Sequence, residues 1–349
     1  MQIKKTEIIA EIANAHQGNR ELAIKIAKQA INSGANAIKF QMYTADDLLV
    51  STHNRYEHFK KQSFSKSDWD IIFGAIKNCE AKVYVDIFGL DSFRISQNYK
   101  IDAYKVHFSD LTNVPLLKLI AKTGKDILIG SGGASFQEIN YSLEIIRAHS
   151  KSNQKIILFH GFQAYPTKIN ETNLERLIKF DELFGDQVQL GISDHIAGDN
   201  LFSKIIPMMA LPYKIKFVEK HITINRHQKG TDYYSSLEMS DFKSFIDFFR
   251  LAESSLGTYD NYPSSEINYR KTVKKKWFAN KNIPKGSVIQ EEDLVMKRDD
   301  SSTLSLDYDQ IINKEVIEDI AKDEIIKNTA FNHHVLGIVV ARSKSSRLP

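Results

Sequence analysis

Eight short runs rich in β-branched and aromatic residues alternate with amphipathic stretches between residues 8 and 257. The runs cover residues 8–13, 37–43, 83–88, 103–108, 126–131, 155–162, 188–195 and 216–224. Apolar residues in the segments between them recur with helical spacing, as in residues 22–31. Eight strand–helix units of about 30 residues each predict an α/β fold of the closed (β/α)8 barrel (TIM barrel) type. An open doubly wound sheet is the alternative, but it usually has fewer strands and an early glycine-rich phosphate turn.

Composition and the distribution of apolar and charged residues exclude several classes of protein. No stretch approaches the roughly 20 uninterrupted apolar residues of a membrane span, and no apolar signal-peptide core precedes Glu7. The single cysteine, Cys79, excludes an internal disulfide and a cysteine-based zinc cluster, as expected in a reducing compartment. A formal net charge of +4 is too small to indicate a nucleic-acid partner. These features favour a cytoplasmic enzyme with neither a nucleic-acid nor a membrane partner.

The amino-acid composition and the hydrophobic pattern of the sequence change after residue 257. Residues 258–271 are rich in Tyr, Pro, Ser and Asn, which is typical of a linker. Residues 272–332 contain short Ile/Val patterns and tight turns, which predict a small β-rich module. The last 17 residues, 333–349, form a separate tail that ends in a basic, serine-rich stretch. The predicted organisation is therefore a barrel over residues 1–257, a linker, a β-rich module and a tail.

Polar residues cluster at the predicted ends of the strands, where a barrel of this kind carries its active site. They are Glu11, Asn14, His16, Lys39, Gln41, Lys105, residues 130–133, His160, Gln163, Tyr165, Ser193, Asp194, His195, Glu219, Lys220 and His221. Three lysines at one mouth would repel each other unless an anion or acidic residues lay between them. This pattern favours an anionic substrate over simply solvated lysines.

Two histidines, His195 and His221, end adjacent strands. Adjacent strands lie about 4.8 Å apart, so both imidazoles can reach one metal ion, although structural histidines are an equally valid interpretation. Asp194 and Glu219 are candidates to complete such a site or to orient the imidazoles. The turn at residues 130–133 precedes a helix with Ser135 as its expected N-cap. Its backbone N–H groups can bind phosphate, unless the turn simply requires glycine.

Several motifs resemble the sialic acid (N-acetylneuraminate) synthase family. In the barrel they are residues 10–18 (AEIANAHQG), 34–41 (GANAIKFQ), 103–105 (AYK), 164–167 (AYPT), 193–195 (SDH), 219–221 (EKH), 230–232 (GTD) and 236–238 (SLE). After the linker, residues 283–286 (IPKG) and 295–298 (VMKR) resemble the C-terminal antifreeze-like (SAF) domain of that family. The resemblance covers most of the chain and implies a barrel followed by a SAF domain.

The resemblance also implies an activity and the residues that carry it. The reaction would condense phosphoenolpyruvate with an N-acetylated amino sugar, such as N-acetylmannosamine, to a nine-carbon keto acid and phosphate. Lys39, Lys105, Ser131 and Ser193 would hold phosphoenolpyruvate, and His195 and His221 would bind Mn²⁺ or Mg²⁺. Glu11, Gln41, Tyr165 and Asp232 would contact the sugar, and Glu11, Lys105 and Asp232 are the expected catalytic residues. Arg298 would reach the sugar from the partner subunit of a domain-swapped homodimer.

Some positions depart from the family pattern. Asp86 occurs where a Ser or Thr is usual, Phe108 occurs in place of a serine, and Gln163, expected to bind substrate, occurs in place of Asn or Ser. Residues 299–300 are Asp-Asp instead of Pro-Gly. A carboxylate in place of a hydroxyl near a phosphate is unfavourable unless a metal or a lysine compensates it. These differences concern the exact substrate more than the type of reaction.

The tail has a resemblance of its own. Residues 339–349 (VVARSKSSRLP) are similar to the first strand and nucleotide-binding loop of sugar-activating nucleotidyltransferases, including the cytidylyltransferase that activates sialic acids. The sequence ends before the glycine and lysine that such a loop would need next. This resemblance implies the front part of a bifunctional protein, and a basic, disordered tail is the alternative.

Two other functions are compatible with these residues. A lysine placed among other cations can be an activated amine, so a Schiff-base aldolase is one alternative. Asp86 and Phe108 make a catalytically silent carbohydrate-binding protein the second. Phosphate release from phosphoenolpyruvate distinguishes the synthase from both.

Overall fold

The computed structural model describes residues 5–162, 164–257, 262–301, 303 and 306–332. The chain divides into two compact units between Leu256 and Gly257. The first unit contains the strand–helix repeats and the second contains the β-rich module. Among the described residues, no helix is both long and apolar enough to cross a membrane.

Eight parallel strands close into a barrel in the first unit. They are β1 (Glu7–Glu11), β2 (Ala37–Met42), β3 (Lys82–Ile87), β4 (Ala103–Val106), β5 (Asp126–Gly130), β6 (Ile156–His160), β7 (Gln189–Ser193) and β8 (Phe217–Thr223). Each strand pairs with the next along the chain, and β1 also pairs with β8, which closes the ring. A short strand, β9 (Leu237–Glu238), extends the sheet in parallel beside the end of β8. The predicted (β/α)8 barrel is therefore confirmed.

Ten helices of the first unit accompany these strands among the described residues. They are α1 (Arg20–Asn32), α2 (Ala45–Leu48), α3 (Tyr56–Gln62), α4 (Lys66–Ile76), α5 (Leu90–Ser96), α6 (Val114–Lys122), α7 (Phe136–His149), α8 (Arg176–Phe184), α9 (Phe202–Met209) and α10 (Met239–Ser255). Helix α7 begins at the expected N-cap, because Ser135 accepts a hydrogen bond from the N–H of Glu138, whose carboxylate bonds back to the N–H of Ser135. This capping box sets the direction in which the β5–α7 turn leaves the barrel.

The core has two layers because successive residues of a strand face opposite sides of the sheet. On β1, Ile8 and Ala10 pack against the helices, whereas Ile9 faces the interior of the barrel. The interior floor is apolar and consists of Ile9, Ala37, Tyr84, Ala103, Leu128, Ile157, Phe159 and Phe217. Two residues further along β1 and β2, the inward positions are Glu11 and Lys39, which are fully buried. A polar layer thus lies directly on the apolar floor at the carboxyl ends of the strands.

The second unit has its own small core. Its elements are α11 (Ser264–Val273), β10 (Lys276–Ala279), β11 (Leu294–Lys297) and α12 (Tyr308–Ile311). Strands β10 and β11 pair antiparallel, with Ala279 opposite Leu294. Ten apolar side chains are buried together: Ala279, Ile283, Ile289, Leu294, Ile311, Val316, Ile320, Ile326, Ala330 and Phe331. This arrangement confirms the β-rich module after the barrel.

The stretch expected to be a linker, residues 258–271, is helical in its second half. Helix α11 begins directly after Pro263, with Glu266 in its first turn and Arg270 and Lys271 in its last turn. This charge arrangement complements the helix dipole and outweighs the turn-forming composition. The boundaries of the four predicted segments stay a prediction, and the tail with its nucleotidyltransferase resemblance lies outside the described residues.

Candidate active site

A buried cluster of charged residues fills the polar layer of the barrel. Lys39 Nζ lies 2.7 Å from Glu11 Oε2, 3.3 Å from Asp86 Oδ2 and 3.4 Å from Glu219 Oε1. Lys105 Nζ lies 2.7 Å from the same Glu219 oxygen. All five side chains are at most 5% exposed. Each of these side chains comes from a different strand: β1, β2, β3, β4 and β8. The barrel thereby brings three carboxyl groups and two ammonium groups together.

Burial and mutual attraction determine the protonation of this cluster. Burial raises the pKa of Glu11 to about 8, although Lys39 acts in the opposite direction. Burial alone lowers the pKa of Lys39, but the carboxyl groups of Glu11, Glu219 and Asp86 outweigh it and raise this pKa well above its ordinary value. Burial alone raises the pKa of Glu219, but Lys105 and Lys39 hold it below its ordinary range. At neutral pH, Glu219 is ionised, Lys39 is protonated and Glu11 keeps its proton.

Asp86, the departure from the family pattern, is compensated by Lys39 at 3.3 Å. One oxygen of this carboxylate, Oδ1, is buried and accepts no hydrogen bond from any described residue. Glu11 Oε1 and Glu219 Oε2 are in the same state. Buried acceptors of this kind are normally satisfied, so these oxygens are available to hydrogen-bond donors of a substrate.

The two histidines lie side by side at the mouth, as the sequence predicts. The ring centroids of His195 and His221 are 5.0 Å apart, and the Tyr165 ring lies 4.9 Å and 6.1 Å from them. Burial lowers the pKa of both imidazoles, to about 3 for His195, so both rings are neutral. His195 Nδ1 lies 3.0 Å from the carbonyl oxygen of Phe162, so Nε2 is the nitrogen left for a ligand. His221 Nδ1 is buried and has no hydrogen-bond partner among the described residues.

These features fit the implied divalent metal. Neutral imidazoles with a free nitrogen are what Mn²⁺ or another transition metal requires of histidine. No group of three His, Cys, Asp or Glu side chains in the described part of the chain is arranged to hold a metal. The ion would therefore have His195 and His221 as its protein ligands and oxygen atoms of water or substrate as the others.

Lys220 and Asp194, which the sequence predicted at the barrel mouth, lie on the helix side of the sheet instead. Lys220 Nζ lies 2.8 Å from Asp194 Oδ2 and 2.8 Å from the carbonyl oxygen of Ser203, on the helix side of the sheet. The reason is the alternation of strand residues, since Glu219 and His221 face inward and Lys220 between them must face outward. Two lysines, not three, therefore reach the interior, and Asp194 pairs with Lys220 instead of supporting the histidines.

A hydrogen-bonded network forms the side of the mouth expected to contact the sugar. The Tyr43 hydroxyl donates to Asn14 Oδ1 at 2.6 Å, and Asn14 Nδ2 donates to Gln41 Oε1 at 3.4 Å. The backbone N–H of Asn14 donates to Asp232 Oδ2 at 3.4 Å. Burial raises the pKa of Asp232. Sequence reasoning missed Tyr43, although its position directly after β2 at the mouth was the available signal.

The serines and the glycine turn lie on the opposite side. The Ser193 hydroxyl donates to Glu219 Oε1 at 3.1 Å, and the Ser131 hydroxyl donates to the carbonyl oxygen of Phe159 at 2.7 Å. Phe108 packs on the turn so closely that a Cβ added at Gly133 would lie 3.2 Å from its ring. The cavity next to Lys105, Ser193, His195 and Phe108 measures about 10 Å³, roughly the space of one water molecule.

Two further expected residues, Gln163 and Arg298, are not among the described residues of the barrel. Gln163 lies outside the described residues. Arg298 belongs to the second unit, where it directly follows β11 and its side chain is exposed. The barrel thus brings together Glu11, Lys39, Lys105, Ser193, His195 and His221 on one side, with Gln41, Tyr165 and Asp232 at the same mouth.

The chain is similar over most of its length to several known proteins. The chain is 28% identical over 341 residues to the N,N'-diacetyllegionaminic acid synthase of Campylobacter jejuni, covering 93% of this chain and all of that protein. It is 27% identical over 342 residues to a pseudaminic acid synthase of the same species, covering 94% and 97%. A sialic acid synthetase structure from Leptospira borgpetersenii superimposes with a TM-score of 0.69 at 24% identity, covering 77% of this chain and 92% of that one.

Family models match both units. The SAF domain matches residues 278–332, which contain the second half of β10, all of β11 and the ten buried apolar residues of this unit. The NeuB family matches residues 26–261, a range that includes the two inner lysines and both histidines of the mouth. Because this match extends over more than half of the chain, from helix α1 to the end of the barrel, the chain belongs to the NeuB family and carries a SAF domain after the barrel.

Proposed function

We propose that this chain is a sialic-acid-type synthase that condenses phosphoenolpyruvate with an N-acetylated amino sugar, N-acetylmannosamine or a relative of it. The products are a nine-carbon 2-keto acid and inorganic phosphate. The observation that carries the proposal is the buried Lys39–Glu219–Lys105 cluster directly beside two neutral histidines. Membership of a family whose relatives are named as synthases of legionaminic and pseudaminic acids supports it.

The proposed reaction is balanced with one water molecule. C3 of phosphoenolpyruvate attacks the aldehyde carbon of the open-chain sugar, and C2 becomes cationic. Water adds to C2, phosphate leaves with its bridging oxygen, and the keto group remains. A divalent ion held by His195 and His221 would supply Lewis acidity toward the sugar aldehyde.

We assign the remaining steps to groups of this chain. The ammonium groups of Lys39 and Lys105 hold the carboxylate and phosphate of phosphoenolpyruvate, assisted by the hydroxyls of Ser131 and Ser193. Glu11, with a pKa of about 8, carries a proton at neutral pH and donates it to the aldehyde oxygen as the new bond forms. Gln41, Tyr165 and Asp232 orient the sugar, with Arg298 supplied by a second copy of the chain.

The surroundings of the two inner lysines disfavour the Schiff-base aldolase. A nucleophilic lysine must lose its proton, whereas the carboxyl groups around Lys39 raise its pKa well above the ordinary value. Lys105 is in direct contact with the ionised Glu219 at 2.7 Å. Both amines are therefore better suited to hold an anion than to attack a carbonyl carbon.

The test is phosphate release from phosphoenolpyruvate, measured with N-acetylmannosamine, its 6-phosphate and 6-deoxy diamino relatives, each with and without Mn²⁺. We expect stoichiometric phosphate and keto acid with at least one sugar. Borohydride in the presence of substrate should leave the protein mass unchanged, and a covalent adduct would instead establish the aldolase. Sugar binding without phosphate release from any mixture would identify the silent carbohydrate-binding protein.

A further inference from the structure

A separate cavity of about 410 Å³ lies beside the barrel mouth, between the β5–α7 turn and the β6–α8 connection. Its wall includes Gly132, Gly133, Gly161, His160 and Arg176. His160 follows the inward-facing Phe159 on β6, so it points away from the barrel interior. The cavity therefore extends to the helix side of β6, and Ser131 at the start of the glycine turn also lines it.

Arg176 is the cationic group of this cavity. Its guanidinium carbon lies 5.6 Å from the ring centroids of both Phe136 and Phe180, so the aromatic rings hold the planar group in place. Its Nε is buried and donates no hydrogen bond to any described residue. A buried donor of a charged group is unfavourable when it stays unpaired, so this atom calls for an acceptor that the described part of the chain does not provide.

The neighbouring carboxylates do not supply that acceptor. Glu171, which also lines the cavity, pairs with Lys168 at 3.3 Å. Glu182, on the same helix as Arg176, pairs with Lys179 at 2.8 Å. Neither of these two carboxylates is paired with Arg176, so among the described residues its guanidinium is available to an anion.

The glycine turn that lines the same cavity contains backbone donors. In the β5–α7 turn, the N–H of Ala134 bonds to the carbonyl oxygen of Ser131, whereas those of Gly132 and Gly133 donate to no carbonyl of the described backbone. The start of helix α7 is already capped by its own side chains, so these N–H groups, and not the helix dipole, are the available donors.

At Gly132 and Gly161, backbone atoms alone separate this cavity from the active site. A Cβ added at Gly132 would lie 2.1 Å from the carbonyl oxygen of Gly161, so the two loops touch without side chains between them. The same two glycines also line the inner cavity that contains Lys105 and Ser193. An anion in the outer cavity would therefore contact the reverse side of the turn that faces the active site.

We propose that the outer cavity is a second anion site, which takes a small oxyanion such as inorganic phosphate. The planar guanidinium of Arg176 pairs with two oxygens of the anion, and the N–H of Gly133 donates to a third. The inner phosphate site of the test rests on the proposed function, whereas the outer site is recognised by its dependence on Arg176, so the failure of one is distinguishable from the failure of the other.

Phosphate binding to the full chain, followed by isothermal titration calorimetry and ³¹P NMR, tests the proposal. We expect two phosphate sites in the wild type. Lys105→Met should remove the inner site and keep the outer one, whereas Arg176→Met should weaken the outer site at least tenfold, the equivalent of about 1.4 kcal/mol, and keep the inner one. Lys179→Met, one turn further along α8, removes an exposed cation of the same helix and should change neither site.

Two results would overturn the proposal. One is a single phosphate site in the wild type that Lys105→Met abolishes. The other is unchanged binding of both phosphates in Arg176→Met. If Arg176→Met lacks the wild-type circular dichroism spectrum, Arg176→Lys replaces it, because it keeps the charge but loses the paired donors, and the outer site should still weaken. Titration with acetate shows whether a carboxylate occupies the same site, and it must show the same dependence on Arg176.

Discussion

Lys39 Nζ lies 3.3 Å from Asp86 Oδ2, so an aspartate compensates one of the two cations at the floor of the barrel mouth. Strand β3, which carries Asp86, lies between β2 with Lys39 and β4 with Lys105. A buried carboxylate is tolerated there only because an ammonium group is close. The inner site is consequently less cationic than two lysines alone would make it.

This relationship predicts that Asp86→Asn strengthens phosphoenolpyruvate binding. The carboxylate of Asp86 repels a bound phosphoenolpyruvate anion, and two unit charges 4 Å apart interact by about 4 kcal/mol at an effective dielectric constant of 20. The nearby lysines offset part of this repulsion, so only a fraction of it is gained when the charge is removed. We expect the KM for phosphoenolpyruvate to fall about three- to tenfold, with little change for the sugar. Asp247→Asn makes the same charge change at an exposed position of α10 and serves as the control. An unchanged or higher KM for phosphoenolpyruvate contradicts the role assigned to Asp86.

Lys105→Met should weaken phosphoenolpyruvate binding specifically. Methionine keeps the apolar stem but removes the ammonium group, and a charge-assisted hydrogen bond contributes about 1.5–3 kcal/mol. The expected result is a rise of about 10- to 100-fold in the KM for phosphoenolpyruvate, with the KM for the sugar nearly unchanged. Steady-state kinetics with each substrate varied in turn measures both. Equal weakening of the two substrates would show that Lys105 does not act as an anion-binding charge.

His221→Ala should abolish metal binding without unfolding the barrel. The side chain lies at the mouth and not in the apolar floor, so the melting temperature should stay within a few degrees of wild type. Mn²⁺ binding, followed by electron paramagnetic resonance, should be lost together with most of the activity. His227→Ala, which changes an exposed histidine after β8, should retain both. Full activity of His221→Ala after chelation would exclude the proposed metal site.

Arg298 is proposed to act on the barrel mouth of a second copy. Co-expression of Arg298→Ala chains with His221→Ala chains should then restore part of the activity, because one hybrid mouth regains both groups. Each variant expressed alone should be nearly inactive. Sedimentation of the wild type should show a dimer. Hybrids that are no more active than either parent would place the action of Arg298 within its own chain or remove it from the reaction.

We expect the folded protein to lose stability in mild acid because the ring of His16 is buried in its neutral form. Its ring is 2% exposed, lies 4.3 Å from the Phe64 ring and accepts the N–H of Gly18, and burial lowers its pKa to about 3. The unfolded chain binds a proton below about pH 6.5 and the folded chain does not, so stability falls as the pH drops from 6.5 toward 3.

The loss amounts to about 1.4 kcal/mol per pH unit for this one group. Urea unfolding at pH 7 and pH 5 measures it in wild type and in His16→Gln, whose amide oxygen can still accept the Gly18 N–H. Between these two pH values the variant should lose about 2 kcal/mol less than wild type. The same pH dependence in both proteins would show that His16 is not buried as a neutral ring.

The sequence by itself determined the repeating architecture and most of the candidate site. Strand and helix periods are local properties, so eight alternating units were sufficient to predict the barrel and the positions of its strand ends. Residues at strand ends, such as Glu11 and His195, could be assigned to the mouth because parallel strands of a barrel all end on the same side. The helix α11 was missed because its composition is typical of a turn, whereas its charges complement the helix dipole.

Only the tertiary structure decided which side chains face each other. Register and alternation place Glu219 and His221 inside and turn Lys220 outward to Asp194, a distinction that a one-residue shift would reverse. The contact between Lys39 and Asp86 joins neighbouring strands, but the contact between Lys105 and Glu219 crosses the barrel. Such contacts depend on closure of the ring by the pairing of β1 with β8, which brings distant segments within a few ångströms and buries their charges together.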